Sequence, residues 1–499
     1  MLLPSTSLRC EIGRSCRILM PKKPTGPEPI IMIVDRYDPV NLFELVPKLD
    51  LEFEPELAHL DRLLDDDELF SLVKADLLKR YPNSGRLGRH STPVEVVLRM
   101  LVLKRLYNFS YEQTERFVND SIVLRQFTRL YLERVPDDTT LIRWANAIGS
   151  QTVRTLNDRA VELAHCLKAT RGRKLRIDGT VVETNIHHPT DSALLGDGVR
   201  VISRLLRRAR KALSTEQTEA LGKEVFRTRN RSVRRVAQRL HRIARRKGEQ
   251  AKEDLKAAYQ KLIAITQASC AGAERVVEAL RSHAAGKSGG LMEKFEHFLP
   301  LVEQGIEQAD RRVLREERLP ATEKLLSLFE EHTRIITRHK PGKPREFGRK
   351  IVLDEVEGGI ISGYEVLPES ASERSELSAS LKAHQQRFGR APYLLAGDRG
   401  LYSVENERLA HQAGVERVVL PKSGKLSEKR RHYEKHRWFR RGFRFRAGIE
   451  GRISVLGRAF GLDVCLDHGE EGMERWVGWG ILVHNLRQIS RTQAARRAA

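Results

Sequence analysis

Residues 174–186 read KLRIDGTVVETNI, and the interpretation of the whole chain starts from this stretch. Apolar, mostly β-branched residues at positions 175, 177, 181 and 182 predict a buried strand. Asp178 interrupts this run, and a glycine follows it directly. Burying a carboxylate is costly unless a positive group neutralises it. Asp178 therefore either faces solvent on an edge strand or holds a cation.

Length and charge narrow the class of protein. A chain of 499 residues, 40% of them hydrophobic, predicts about two to four domains with packed cores. Lysine and arginine number 89 against 66 aspartate and glutamate, which gives a net charge of +23 and a pI near 10.0. Such an excess of positive charge indicates a polyanionic partner, and nucleic acid is the first candidate.

Cysteine usage and hydropathy indicate the compartment. The five cysteines are scattered and show no CxxC spacing, so neither a disulfide framework nor a zinc ribbon is predicted, and a reducing compartment fits. No apolar run approaches the ~18 residues of a membrane-spanning helix. We therefore expect a cytoplasmic, nucleoid-associated protein with no membrane partner.

The first part of the chain divides into a lead-in and a helical domain. Residues 1–40, which include a proline-rich segment, are predicted to be a disordered lead-in, and residues 41–170 a helical N-terminal DNA-binding domain. Arg125 and Arg129 are predicted one turn apart on a short helix, where a helix-turn-helix could meet a phosphate backbone. An ordinary helical bundle with solvated arginines explains the same pattern.

The remaining chain reads as an α/β domain split by an insertion. Residues 171–198 and 349–499 are predicted to form the α/β domain, and residues 199–348 a basic, all-helical insertion. Within it, residues 200–250 alone carry a net charge of +13. This density favours contact with nucleic acid, although basic runs are often only solvated helix faces.

Two further acids resemble Asp178 in their setting. Asp398 follows the short apolar strand at residues 393–396 and is flanked by glycines, at a strand end where α/β proteins place ligands. Glu450 lies at the edge of the apolar stripe of a helix predicted over residues 445–460, with Arg446 one turn earlier. Taken alone, that pair is more often a surface ion pair. Residues 350–367 predict a hairpin that turns at residues 357–359.

Three carboxylates from two strands and a helix suit a hard divalent cation. Mg²⁺ prefers oxygen ligands and completes its shell with water and phosphate. Two such ions, about 3.5–4 Å apart, can activate a water or a sugar hydroxyl and stabilise the leaving oxygen in a displacement at phosphorus.

The segments IDGT around Asp178, AGDRGLYS around Asp398 and FRFRAGIEGRISVLGRAFG around Glu450 together resemble the DDE transposases of bacterial insertion sequences. This resemblance implies an α/β catalytic domain with the RNase H-like fold, interrupted after its first strand. It also implies that Asp178, Asp398 and Glu450 are the catalytic residues and bind two Mg²⁺ ions, for which Mn²⁺ can substitute.

A related family signature places Tyr, Arg, Glu and Lys at fixed intervals around the glutamate. Here Phe443 replaces the tyrosine, Arg446 and Glu450 match, and the lysine position is Gly457 with Arg458 one place later. The resemblance implies that Arg446 clamps a phosphate near the cut, with Arg458 as a weaker substitute for the lysine.

Further DNA contacts are expected near the acids. Arg399 follows Asp398 directly, and residues 422–444 mix basic and aromatic side chains, among them Lys422 and Trp438. Such a mixture suits contact with the DNA backbone and stacking on an unpaired base, and a packed connector explains it equally well.

The function implied is transposition of DNA. The protein would bind the terminal inverted repeats of its element as double-stranded DNA, cut to free a 3′ hydroxyl, and join that hydroxyl to target DNA, as a homodimer in the synaptic complex. Two alternatives remain at this point. One is a non-catalytic DNA-binding protein on an inactive nuclease fold, and the other is a nuclease that never joins strands.

Overall fold

A computed structural model of the chain describes residues 35–37, 53–79, 92–281, 289–340, 343–368 and 371–498. The chain forms two compact units. Unit 1 comprises residues 1–183 and 349–499, and unit 2 comprises residues 184–348. Unit 2 thus begins inside the segment that the sequence assigns to the α/β domain. The predicted lead-in lies outside the described residues, except for residues 35–37.

The N-terminal part of unit 1 is helical. Its helices are α1 (Pro55–Leu63), α2 (Asp67–Lys79), α3 (Val94–Leu106), α4 (Tyr111–Asp120), α5 (Ile122–Phe127), α6 (Asp138–Ala147) and α7 (Ser150–Cys166). Every residue of helix α3 is buried, the charged ones included, as its central position in the helical domain requires. Helix α4 begins with a capping box between Ser110 and Gln113.

Strand β1 (Lys174–Thr184) follows, and the chain then enters unit 2. This unit contains α8 (Asp191–Ala212), α9 (Thr215–Leu221), α10 (Asn230–Ile243), α11 (Glu249–Arg281) and α12 (Gly289–Ala309). The prediction that this region is all helical is wrong at its end. Strand β2 (Arg334–Lys340) pairs antiparallel with the first part of β3 (Lys343–Val356).

The sheet has the strand order β2-β3-β1-β5-β6. Strand β4 (Ile360–Val366) pairs antiparallel with the second part of β3, around a turn at residues 357–359, so the predicted hairpin is confirmed. Strand β5 (Leu394–Gly397) runs parallel to β1 and to β6 (Arg417–Val419). The two-residue strand β7 (Val464–Cys465) pairs with β1.

The remaining helices of unit 1 are α13 (Glu373–Phe388), α14 (Val404–Gln412), α15 (Glu428–Lys435), α16 (Arg437–Phe460) and α17 (Gly469–Ala498). The prediction of a connector at residues 422–444 followed by a helix from residue 445 is wrong. Most of that connector is helical, and the helix that carries Glu450 begins at Arg437. No helix among the described residues has the length and apolar character needed to cross a bilayer.

Candidate functional site

Strands β1 and β5 bring Asp178 and Asp398 to neighbouring positions. These strands are parallel, and Ile177 is the register partner of Gly397. Asp178 follows Ile177 on β1, and Asp398 follows Gly397, the last residue of β5. Adjacent strands of a sheet lie about 4.8 Å apart, so the two aspartates are neighbours. Two positions that are far apart in the sequence thus lie side by side, at the point where β5 ends.

Asp178 is the most buried of the three predicted catalytic acids, with 8% of its surface exposed. Its Oδ1 accepts a hydrogen bond from the Gly179 amide at 2.9 Å, and its Oδ2 lies 2.9 Å from a guanidinium nitrogen of Arg446. Burial raises the pKa of Asp178 to about 6; Arg446 opposes this shift, and the negative charges of Asp398 and Glu373 add to it. Burial of the carboxylate therefore decides the direction of the pKa shift, ahead of the charges around it.

The loop that carries Asp398 is fixed by hydrogen bonds. The Asp398 Oδ1 accepts from the Leu401 amide at 3.0 Å. Arg374 Nε donates to the Gly400 carbonyl at 3.1 Å, and the buried Asn406 donates to the Leu401 carbonyl at 2.9 Å. A Cβ atom on Gly400 would approach the Asp398 carboxylate to 3.2 Å, so the absence of a side chain there leaves room for the acid.

Arg446 links Glu450 to Asp178. The Arg446 guanidinium lies 2.9 Å from Glu450 Oε1 with one nitrogen and 2.9 Å from Asp178 Oδ2 with the other. Its third nitrogen, Nε, is buried and has no hydrogen-bond partner among the described residues. The Glu450 side chain remains 67% exposed and can therefore change rotamer. Asp178 and Glu450 thus lie within the span of one guanidinium.

A buried ion pair holds α16 against the sheet. Arg176 of β1 pairs with Glu355 of β3 at 2.5 Å and also donates to the carbonyl of Phe445. Arg452 approaches Glu355 to 3.3 Å from the same helix as Glu450. A Cβ atom on Gly448 would lie 2.5 Å from Arg176, so this glycine permits the close approach. The position of Glu450 is therefore set by contacts on both sides of it along the helix.

A fourth carboxylate, Glu373, lies beside Asp178 and was missed by sequence reasoning. It opens helix α13, and its carboxylate lies 1.9 Å from the point that a Cβ atom on Gly179 would occupy. Lys350 pairs with it at 2.8 Å. In the sequence Glu373 looks like any first-turn acid that stabilises a helix N-terminus, so no local signal identifies it.

The acids of this site have the right chemistry for a divalent cation, but their present arrangement does not form a metal-binding group. Within the described ranges, no three acidic, histidine or cysteine side chains are grouped closely enough to hold a metal ion as they stand. The carboxylates are nevertheless the hard oxygen ligands that Mg²⁺ prefers. The exposed Glu450 would have to leave Arg446 to join Asp178 and Asp398.

Four other predicted DNA-binding residues of unit 1 take no part in the contacts described above. Arg399 and Arg458 are exposed. Lys422 is half-buried, and its amide donates to Glu434 at 3.0 Å. Trp438 packs edge-on against Tyr433, with ring centroids 5.3 Å apart, in an aromatic cluster against β5 and β6. Packing within the protein therefore accounts for Trp438, and its predicted stacking on a base stays a prediction.

Arg125 and Arg129 are engaged inside the helical domain. The prediction that they share a helix is wrong, because α5 ends at Phe127 and Arg129 has a positive φ of 59°. Arg125 donates to the carbonyls of Tyr131 at 2.8 Å and Glu133 at 3.0 Å. Arg129 pairs with Asp61 at 3.1 Å. These contacts give both side chains a structural role, and their contact with DNA stays a prediction.

Helix α10 of unit 2 has a basic face. Its apolar residues, such as Val236 and Leu240, are buried against α8 and α11. The opposite side exposes the side chains of five arginines, none of which forms an ion pair or hydrogen bond with any residue the structure describes. They are Arg231, Arg234, Arg235, Arg239 and Arg242. An exposed row of uncompensated arginines fits a phosphate backbone.

Comparison with known proteins identifies one segment. Residues 41–147 match the family model described as Transposase domain (DUF772). This segment covers most of the N-terminal helical domain and none of the acids described above, and it supports transposase function for the chain. No curated protein and no solved structure matches the chain.

Proposed function

We propose that this protein is a DDE transposase of a bacterial insertion sequence, with an RNase H-like catalytic domain in unit 1. The matched transposase domain supports the general function. The strand order supports the fold, because the sheet is mixed: β3 and β4 on one side of β1 pair antiparallel with each other, and β5 and β6 on the other side run parallel to β1. The proposal rests above all on the joining of Asp178 and Glu450 by Arg446 beside Asp398.

In this proposal, the acids of unit 1 bind divalent cations and Arg446 binds a phosphate of the DNA. Asp178, Asp398 and Glu450 would hold divalent cations, Mg²⁺ or Mn²⁺, which when bound activate the attacking oxygen and stabilise the leaving one. The β1 and β5 backbones fix the two aspartates, whereas the side chain of Glu450, on α16, would change rotamer to join them. Once Glu450 leaves Arg446 for a cation, the guanidinium nitrogen that it releases can donate to a phosphate oxygen, and this would orient the phosphate beside Asp178.

The substrate is double-stranded DNA, first the terminal inverted repeats and then the target. The N-terminal helical domain and the basic face of α10 would bind it. Attack of water frees a 3′ hydroxyl at the element end, and attack of that hydroxyl on the target phosphate joins the strands and releases the target's own 3′ oxygen. A homodimer would hold the two ends together.

The test compares acid-to-amide variants on labelled DNA that carries the element ends. Asp178→Asn, Asp398→Asn and Glu450→Gln should each reduce cleavage by at least about 10³-fold and leave end binding within a few-fold, because each change removes a cation ligand and preserves shape. Glu405→Gln changes charge in the same way at an exposed site on α14 and should have no effect. Cleavage at the normal rate by any of the three variants would refute the proposal.

The products separate this proposal from its closest alternative. A transposase yields strand-transfer products when target DNA is added, whereas a nuclease yields only cut ends. Cut ends without joined products, in the presence of target DNA and Mg²⁺, would reject transposition and leave hydrolysis.

A further inference from the structure

We propose that unit 1 binds a monovalent anion of about the size of chloride, in a small cavity between α3 and α17 where Lys104 and Arg105 are buried. The proposed reaction does not use this cavity, so the inference is independent of the proposed function. Residues of α3, α4, α6, α17 and the segment before α17 line the cavity. They are Leu101, Lys104, Arg105, Tyr111, Ala145, Asp467, Trp476 and Trp479.

The two cations are consecutive residues in the last turn of α3. Lys104 has 8% of its surface exposed and Arg105 has 4%. Neither side chain forms an ion pair with any acid that the structure describes, and their polar contacts are with aromatic rings and one backbone carbonyl. A buried charge is costly unless an opposite charge lies close to it. Two adjacent cations in one cavity therefore require compensation.

The ammonium group of Lys104 lies between two of the rings that line the cavity. Its Nζ is 4.3 Å from the ring centroid of Tyr111 and 5.3 Å from that of Trp476. The faces of aromatic rings attract a cation, but they offer no oxygen or nitrogen lone pair to its N–H groups. The lysine thus keeps hydrogen-bond donors that no residue of the described chain satisfies.

The guanidinium of Arg105 is held in place and also keeps an unused donor. It stacks on the ring of Trp476, with its central carbon 3.6 Å from the ring centroid, and Nη2 donates to the Trp476 carbonyl at 2.7 Å. The buried Nη1 has no hydrogen-bond partner among the described residues. Two fixed cations with unsatisfied N–H groups at one cavity are what an anion requires.

Charge and size select the anion. Asp467, the acid among the eight lining residues, pairs with neither cation and supplies one negative charge against two positive ones. Burial and the neighbouring Arg105 lower the pKa of Lys104 to about 8, so the lysine is still charged at pH 7. One positive charge is left over, which water cannot neutralise and a monovalent anion can. The free space is that of about one water-sized group, which suits chloride better than phosphate.

Thermal unfolding of the full-length protein tests the site, with sodium chloride replacing sodium gluconate at constant ionic strength. Chloride should raise the melting temperature by roughly 2–5 °C and the rise should saturate, because a ligand of the folded state stabilises it. Lys104→Met should lose this rise. Methionine has a similar length and brings no charge to bury, so the variant should fold.

Lys382→Met is the matched control, since it removes an exposed lysine from α13 and should keep the full rise. The same rise in Lys104→Met as in the natural protein would assign the chloride effect to other basic surfaces and overturn the inference. No rise in the natural protein would overturn it as well, and would leave water as the occupant of the cavity.

Bromide gives a second readout that needs no variant. Trp476 and Trp479 line the cavity, so a bound bromide should quench tryptophan fluorescence with saturation at constant ionic strength. Lys104→Met should show only the linear quenching that collisions with free bromide produce. Linear quenching in the natural protein itself would refute the site.

Discussion

The arginines of the N-terminal helices and those of helix α10 have opposite surroundings. Arg99, on the buried helix α3, has no exposed surface and contacts Asp61 at 2.8 Å, Asp65 at 2.6 Å and Glu95 at 3.1 Å. In unit 2, Arg235 and Arg239 are exposed and contact no acid of the described chain. Arginine thus stabilises the fold at position 99 of unit 1, whereas at positions 235 and 239 of unit 2 it is available to bind a polyanion.

The difference comes from where the acids are. Three acids from α1, α3 and the segment after α1 surround Arg99, whereas α10 itself contains no acid. A net positive charge therefore says that a polyanion is a suitable partner, but only the local balance says which arginines can meet it. The predictions below test this distinction from the largest expected effect to the smallest.

Removing the buried cation should have the largest effect. Arg99→Met leaves the three acids with Arg129, which lies farther from them, as their shared partner and should lower the free energy of unfolding by about 3–5 kcal/mol. Urea unfolding followed by tryptophan fluorescence measures this, because all four tryptophans, at positions 144, 438, 476 and 479, belong to unit 1.

Arg235→Met serves as the control for that experiment, since the same substitution on the exposed face of α10 should change stability by less than about 0.5 kcal/mol. A loss of stability by the α10 variant as large as that of Arg99→Met would contradict the distinction between the two groups of arginines.

The next effect concerns the buried acid of unit 1. The pKa of Asp178 is raised to about 6, above the value of about 3.9 in an unfolded chain. The folded state therefore holds its proton more tightly, and stability falls as the pH rises from about 4 to about 6. Asp178→Asn mimics the protonated acid, so it should be more stable than the natural protein by roughly 3 kcal/mol at pH 7.

Urea unfolding at pH values of about 3.5 and about 7 tests this sign. The difference between Asp178→Asn and the natural protein should vanish at the lower pH, where both side chains are neutral. An asparagine variant that is less stable at neutral pH would show that Arg446 more than offsets the burial of the carboxylate.

The sequence predicts the acids better than it predicts their neighbours. Asp178 and Asp398 are candidates because each follows or interrupts an apolar run, and Glu450 is a candidate because a family pattern surrounds it. Their side-by-side placement depends on strand register, which no local pattern contains. Glu373 could not be identified, since a first-turn glutamate is common and its nearness to Gly179 is a tertiary fact.

Helix boundaries and arginine roles show the same limit. Aromatic and basic residues at 422–444 predict a connector, whereas most of this segment is helical and Trp438 and Phe439 pack against β5 and β6. The spacing of Arg129 from Arg125 predicts a shared helix. Its pairing with Asp61, far away in sequence, was not visible.

A smaller effect is expected on DNA affinity. The double variant Arg235→Gln/Arg239→Gln should weaken binding to an element end by about tenfold at physiological salt. It should also reduce the slope of log affinity against log salt by roughly 2, because each phosphate that is no longer neutralised removes about 0.9 from that slope. Fluorescence anisotropy over a series of salt concentrations measures both quantities.

Arg227→Gln/Arg229→Gln is the matched control in the same unit. It removes the same charge, but both arginines pair with Glu224 at 3.2 Å, so the salt slope should change less. Equal slopes for the two double variants would mean that α10 has no special part in binding.

The smallest effect decides between two roles for Arg125. The structure ties its guanidinium to the carbonyls of Tyr131 and Glu133, so Arg125→Gln should lower the free energy of unfolding by about 1 kcal/mol and leave DNA affinity unchanged. Arg134→Gln, an exposed change nearby, should alter neither quantity. If Arg125→Gln instead weakens DNA binding with no loss of stability, the arginine meets the phosphate backbone, which is one of the two interpretations that the sequence allows. The contacts of an arginine within the protein would then not predict whether it binds DNA. The contrast between the arginines of the N-terminal helices and those of α10 would no longer hold for Arg125.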